Sequence, residues 1–110
     1  MRVTAIGRNV GSAPRKVELL VRELPGKTID DASTLLRFSG KPVAKAVDKV
    51  LQSAAANAEN NYAMDRDNLK VVAAWVGKGR TLKRFKARSR GRVSPILRRS
   101  CHVTVVVDEV

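Results

Sequence analysis

Apolar residues recur at helical spacing in three segments of the chain. The first begins at Ser12 and Pro14, stops at Pro25 and Gly26, and has apolar residues at i, i+3, i+4 and i+7: Val17, Leu20, Val21 and Leu24. Because this spacing places them on one face, the segment is predicted to form a short amphipathic helix.

Two further helices are predicted between Thr28 and Asn61. Thr28 and Asp31 have the spacing of a capping box, in which a hydroxyl and a carboxylate satisfy free amides of the first helical turn, and Gly40 ends this helix. The next helix starts at Pro42, which suits a first turn. Its apolar face is the longest of the three: Val43, Val47, Val50, Leu51, Ala54 and Ala58.

Three other segments are short and rich in β-branched residues, which is typical of strands. They are MRVTAI at the N-terminus, LKVVAAWV from Leu69 and CHVTVVV from Cys101. The predicted fold class is therefore α+β, with three helices packed on one face of a small antiparallel sheet. With 4% aromatic residues, the core must consist mainly of Val, Leu and Ala, and Trp75, in an apolar strand, is predicted to be part of it.

Charge changes this picture, because it is distributed unevenly. The net charge is +12, yet residues 17–67 are close to neutral, and no acid occurs between Asn68 and Val107. The stretch from Lys78 to Arg99 alone carries ten of the 22 Lys and Arg. Such a surface predicts attraction to polyanions, with nucleic acid as the first candidate.

The basic stretch also has to connect two predicted strands. Twenty-odd residues are too many for an ordinary loop in a compact domain. Spaced apolar residues such as Leu82, Phe85 and Ile96 favour a projecting β-hairpin over a disordered loop. We therefore expect a single domain, 1–110, with a globular body (1–77 and 101–110) and a hairpin arm (78–100).

Several classes of function are disfavoured by the sequence. Cys101 and His102 are adjacent, and adjacent strand residues point to opposite faces, so they do not form a nucleophile and its base. One cysteine and one histidine fall short of a zinc site, so no metal and no cofactor is predicted, and the protein is not expected to be an enzyme. The apolar runs are too short for a signal peptide or a membrane span, which predicts a cytoplasmic protein without membrane contact.

Three ordered blocks of the sequence resemble a known family, the universal L-twenty-two family of large-subunit ribosomal proteins of the bacterial type. The blocks are SAPRKVELLVRELPGK from Ser12, LQSAAANAENN from Leu51 and LKRFKARSRGRVSPILRRSCHVTVVV from Leu82. Together they cover nearly the whole chain. One departure lies before the arm, where the family often has an acidic pair and then Gly-Pro, and this chain has Gly77, Lys78, Gly79 and Arg80.

The resemblance implies a structural constituent of the large ribosomal subunit that binds 23S ribosomal RNA, helps assembly, and lines part of the nascent-peptide exit tunnel with its hairpin. The implied partners are 23S RNA, neighbouring large-subunit proteins and, at the tip, the nascent chain; no homo-oligomer is expected. By position, the implied RNA contacts are Ser12, Arg15 and Lys16 near the body, Lys83, Arg84, Lys86, Arg92, Arg98 and Arg99 along the arm, and Arg88, Arg90 and Gly91 near the tunnel-lining tip. Arg8, Lys78 and Arg80 complete the predicted RNA-binding set, as further cations of the acid-free regions.

Two alternatives from other classes remain at the level of sequence. A free-standing DNA-architectural protein would also be basic and could use Leu82 or Phe85 as an apolar wedge between base steps. A membrane-surface peptide would need a helical arm with one apolar face, which Gly79, Gly91 and Pro95 interrupt.

Overall fold

The computed structural model describes residues 2–11, 14–87, 91 and 93–109. Within them the chain forms a three-stranded sheet, a two-stranded hairpin and three α-helices. In chain order the elements are β1 (Val3–Val10), α1 (Pro14–Val21), α2 (Ile29–Phe38), α3 (Ala44–Tyr62), a 3₁₀ turn (Arg66–Asn68), β2 (Leu69–Lys78), β3 (Leu82–Ala87), β4 (Val93–Arg98) and β5 (Cys101–Glu109).

The body is built on an antiparallel sheet in the order β1-β5-β2, with the C-terminal strand in the centre. Val105 of β5 pairs with Ala5 on one side and Ala74 on the other. The helices cover one face of this sheet, which confirms the predicted α+β class.

The core lies between the helices and the inner face of the sheet. Among the described residues it consists of aliphatic side chains, alanines and Cys101, with no aromatic ring. Ala54, Ala55 and Ala58 of α3 are fully buried, and their small side chains let α3 approach the sheet closely. The prediction of a core made mainly of Val, Leu and Ala is confirmed.

Local signals in the sequence set the ends of the helices. Thr28 caps α2, since its hydroxyl accepts a hydrogen bond from the Asp31 amide at 3.3 Å. Gly26, with φ +86°, turns the chain after α1, and its amide donates to the Val71 carbonyl of β2 at 2.7 Å. This turn ties α1 to the edge of the sheet.

The basic segment forms the predicted hairpin, in which β3 and β4 pair in antiparallel register from Leu82 with Arg98 to Ala87 with Val93. This two-stranded sheet is separate from the sheet of the body. The molecule is accordingly elongated, with extents of 61 × 26 × 17 Å. Among the described helices, none has the length and apolarity needed to cross a bilayer.

Trp75 is not part of the core, contrary to the prediction. A register shift in β2 between Val71 and Ala73 inserts one extra residue, as in a β-bulge. Leu69 and Val71 face the helices before the shift, whereas Ala74 and Val76 do so after it. The shift therefore turns Trp75 to the outer face of the sheet, where it is 52% exposed.

Candidate nucleic-acid interface

The arm presents cations and exposed apolar residues together. Alternation along β3 places Leu82 on one face of the hairpin and Lys83 and Phe85 on the other. The register pairs the Arg84 position with Ile96, the Lys86 position with Ser94 and the Leu82 position with Arg98. Lys83 lies on the second face beside Phe85, which is 72% exposed.

The exposed ring of Phe85 is notable, because a two-stranded ribbon cannot bury it. Leu82 and Leu97 of the arm are exposed as well. An exposed aromatic ring among cations is suited to stacking on nucleic-acid bases while the cations bind phosphates.

A tight junction joins the arm to the body. The Gly79 amide donates to the Ser100 carbonyl at 3.0 Å, and the Ser100 hydroxyl donates to the Arg80 carbonyl at 2.5 Å. A Cβ atom on Gly79 would lie 2.8 Å from Ser100 Oγ and 3.1 Å from the Cys101 amide nitrogen. The two linking segments therefore approach so closely at this position that a side chain larger than that of glycine would crowd them.

Three predicted RNA-binding residues surround this junction. Lys78 ends β2, and Arg80 and Arg99 lie in the two linking segments; all three are exposed. These three residues make the end of the arm next to the body positively charged.

Among the described body residues of the predicted set, Arg8, Arg15 and Lys16 lie at the same end of the molecule. Cys101 pairs with Val10 of β1 and with Lys78 of β2, so the end of β1 lies beside the base of the arm. Arg8 is exposed near this end of β1, and Lys16, from the first turns of α1, lines a cleft together with Val10. Arg15 is exposed in the first turn of α1.

The tip positions are described only in part. Gly91 has φ +71°, a left-handed conformation that favours glycine, as expected for a turn residue. Ser12, Arg88, Arg90 and Arg92 lie outside the described residues.

Sequence analysis missed one basic cluster, at the corner between α2 and α3. Charge counting treated residues 17–67 as neutral, yet Arg37, Lys41 and Lys45 line a common cleft at this corner. Phe38, which follows Arg37 in the chain, is 85% exposed. A local signal was present, because no acid occurs between Asp31 and Asp48 while three cations do.

Cys101 and His102 do not form a catalytic pair. Cys101 faces the core and is fully buried, whereas His102 occupies the next position of β5 and is only partly buried. Burial raises the pKa of the Cys101 thiol, so the reactive thiolate is disfavoured at neutral pH. In the part of the chain that the structure describes, no group of three or more His, Cys, Asp or Glu is placed to hold a metal ion.

Comparison with known proteins agrees with this architecture. Residues 5–108 match the family described as "Ribosomal protein L22p/L17e". The chain is 50% identical over 109 residues to the "Large ribosomal subunit protein uL22" of Dehalococcoides mccartyi (strain CBDB1), covering 99% of this chain and 100% of that protein. It is 46% identical to the protein of the same name from Oceanobacillus iheyensis, covering 99% of this chain and 96% of that one.

Both likenesses extend over nearly the full length of each protein, and the matched region includes the body strands, the helices and the arm. The chain belongs to the ribosomal protein L22p/L17e family, whose members are structural proteins and not enzymes.

Proposed function

We propose that this protein is a structural constituent of the large ribosomal subunit in the cytoplasm, where it binds 23S ribosomal RNA and helps the subunit assemble. Membership of the family supports this proposal. So do the relatives named as large-subunit proteins, whose alignments cover 99% of this chain. The observation that carries RNA binding is the hairpin arm, which has no acidic residue from Lys78 to Arg99 and ten cations.

The arm recognises the phosphate backbone and the shape of the RNA. Exposed cations at the junction, Lys78, Arg80 and Arg99, neutralise phosphates where the arm leaves the body. Lys83, Arg84, Lys86 and Arg98 do so along the hairpin, as do Arg88, Arg90 and Arg92 beyond the last described residue of β3. Arg8, Ser12, Arg15 and Lys16 contact RNA at the adjacent end of the body.

The tip of the arm lines part of the nascent-peptide exit tunnel. Ala87 and Val93 form the last register pair, so the five positions between them connect the two strands, and they include Arg88, Arg90 and Gly91. An arm that extends a 61 Å molecule can bring these residues far from the body. They would then face the nascent chain, while the body contacts RNA and neighbouring ribosomal proteins.

The same geometry supports different roles for the body and the arm of one domain. The body, 1–77 and 101–110, contains the helices and the three-stranded sheet, and the arm, 78–100, contains the hairpin. The body supplies stability, and the arm supplies the surface that RNA covers.

Fractionation of ribosomes tests the proposal. Ribosomes are washed in high salt and split into subunits, and this chain is quantified by mass spectrometry. We expect near one copy per large subunit. Recovery in a DNA-bound or unbound pool would overturn the proposal and favour the DNA-architectural alternative.

A further inference from the structure

Phe38 is the most exposed large apolar side chain among the described residues, at 85%. Its position in α2 explains this exposure. The helix buries Ile29, Ala32 and Leu36 on one face, and a residue two positions after Leu36 lies about 200° around the helix axis. Phe38 therefore points away from the core at the last position of α2.

The end of α2 is a fixed turn. The Ser39 hydroxyl donates to the Leu36 carbonyl at 2.8 Å, and the Ser39 amide donates to the same oxygen at 3.3 Å. Gly40, with φ +72°, then reverses the chain towards α3. The ring is thus presented by a capped helix end and not by a loose loop.

Three cations lie within seven residues of Phe38 along the chain. Arg37, Lys41 and Lys45 are exposed and line a cleft of about 440 Å³ between the end of α2 and the start of α3. One acid, Asp48, also lines it, and its Oδ1 accepts hydrogen bonds from the Ser33 hydroxyl at 2.9 Å and Gln52 Nε2 at 3.5 Å. The ion pairs among described residues join Arg22 to Glu18 and Arg66 to Glu59, and none involves the three cations of this cleft.

The cleft is continuous with the basic end of the body. Lys41 and Pro42 also line a second cleft, of about 510 Å³, with Lys16 and Val10 on its other side. Lys16 belongs to the proposed RNA-binding set, and Val10 pairs with Cys101 beside the base of the arm. The basic surface therefore extends from the arm across α1 to the α2–α3 corner.

The chemistry of the α2–α3 corner favours one class of ligand. An apolar protein partner would cover Phe38 but would leave three cations to be desolvated without counter-charges. RNA satisfies both features, because a base offers a flat face to the ring and its phosphates offer charge to Arg and Lys. Base pairs in a duplex do not expose such a face, so the base must come from a single-stranded segment, a loop or a bulge.

We propose that the α2–α3 corner is a second RNA-binding site, in which Phe38 stacks on one unpaired base and Arg37, Lys41 and Lys45 bind the phosphates that flank it. This site rests on the proposed ribosomal function and adds to it a contact on the helical side of the body, remote in sequence from the arm.

Ultraviolet cross-linking of isolated large subunits tests the site directly. After digestion, mass spectrometry locates nucleotide adducts on peptides of this chain. We expect an adduct on Phe38 in addition to adducts on the arm, 78–100. Adducts on the arm without any between Arg37 and Lys45 would overturn the corner site and leave the proposed function intact. Absence of the chain from the large subunit would overturn the proposed function itself.

A set of variants separates stacking from apolar contact. We measure dissociation of the full-length chain from large subunits during salt washing, expecting Phe38→Ala and Phe38→Leu to dissociate at least about fivefold faster, and Phe38→Trp to be retained. Tyr62→Ala is the matched control, because Tyr62 is a half-exposed ring at the opposite end of α3.

Retention of Phe38→Leu would indicate an apolar protein contact and overturn the stacking site. So would a lysine-reactive cross-link from Lys41 or Lys45 to another protein if no nucleotide adduct forms at the corner.

Discussion

At the scale of single residues, Gly7 fixes how β1 packs against α3. A Cβ atom on Gly7 would overlap Cγ2 of Val50, a buried residue of α3. Because Gly7 faces the helix, its neighbours Ile6 and Arg8 face the outer side of the sheet, and both are exposed. The alternation of β1 thus places Arg8, a proposed RNA-binding cation, on the surface.

We expect Gly7→Ala to lower the free energy of unfolding by about 1–3 kcal/mol, because Val50 is β-branched and cannot rotate away freely. Denaturant unfolding of the full-length chain measures this. Gly11→Ala is the control, since a Cβ atom there would meet no atom within 4 Å.

Coupling to Val50 identifies the cause. If the overlap is responsible, Gly7→Ala combined with Val50→Ala should cost less than the sum of the two single changes. Additive costs, or equal stability of Gly7→Ala and Gly11→Ala, would contradict this account.

Residues with local roles were predictable from the sequence, whereas residues whose roles depend on register were not. Thr28 caps α2 as its spacing to Asp31 indicated, because a cap needs only neighbouring residues. Trp75 was assigned to the wrong face, because the bulge before Ala73 reverses the alternation of β2. The basic cluster of Arg37, Lys41 and Lys45 was missed, and Phe38 with it. These cations line one cleft, but in the net charge of residues 17–67 they are cancelled by acids elsewhere in the segment.

At the scale of elements, the hairpin is the main confirmed prediction, and its junction is the main unpredicted feature. Apolar residues spaced within the basic stretch, such as Leu82, Phe85 and Ile96, indicated that it would pair. The sequence did not indicate that β3–β4 would form a separate sheet, with Gly79 and Ser100 joined where the ladders of the body end. Such a break depends on the twist of two sheets, which short-range patterns do not encode.

The junction gives a prediction with a matched pair of glycines. Gly79→Ala should destabilise the protein by about 1–3 kcal/mol, because the new methyl group would crowd the backbone of Ser100 and Cys101 as well as the Ser100 hydroxyl. Gly77→Ala should change stability by less than about 0.5 kcal/mol, because its Cβ atom would approach only the His102 carbonyl, at 3.9 Å.

Thermal and denaturant unfolding of the two variants provide the measurement. Hydrogen exchange of the Gly79 amide reports on the junction itself, since that amide is bonded to Ser100. Equal stability of the two variants would show that the junction does not need a glycine.

At the scale of the whole molecule, stability and charge are concentrated in different parts. The described core belongs to the helices, to the turn after α1 and to β1, β2 and β5, and none of it lies between residues 79 and 100. The segment Thr81–Arg99 carries eight Lys or Arg and no acid, so its removal lowers the net charge from +12 to +4. One deletion can therefore separate the two properties.

We expect replacement of Thr81–Arg99 by a two-residue Asn-Gly turn to leave the body folded, with a stability change within about 1 kcal/mol, because no residue of the described core lies in the deleted segment. Binding to a uridine oligonucleotide should weaken. Its log-log dependence on KCl concentration should also become shallower, by about 0.7 for each phosphate that the shortened chain no longer neutralises. Loss of cooperative unfolding would contradict the independence of the body.

The same deletion tests the role of the tip inside the ribosome. Provided that the shortened chain still co-purifies with large subunits, the tunnel wall would lack the segment that includes Arg88, Arg90 and Gly91. We then expect altered macrolide sensitivity or altered stalling of nascent chains, because both depend on the surface that a peptide passes. A bulk loss of subunits would lower all translation, so stalling is compared with synthesis of a non-stalling peptide in the same extract.

Unchanged drug sensitivity and unchanged stalling in ribosomes that retain the shortened chain would contradict a tunnel role. RNA binding by the arm would be unaffected by that result, because it depends on the cations along the hairpin and not on where the tip ends.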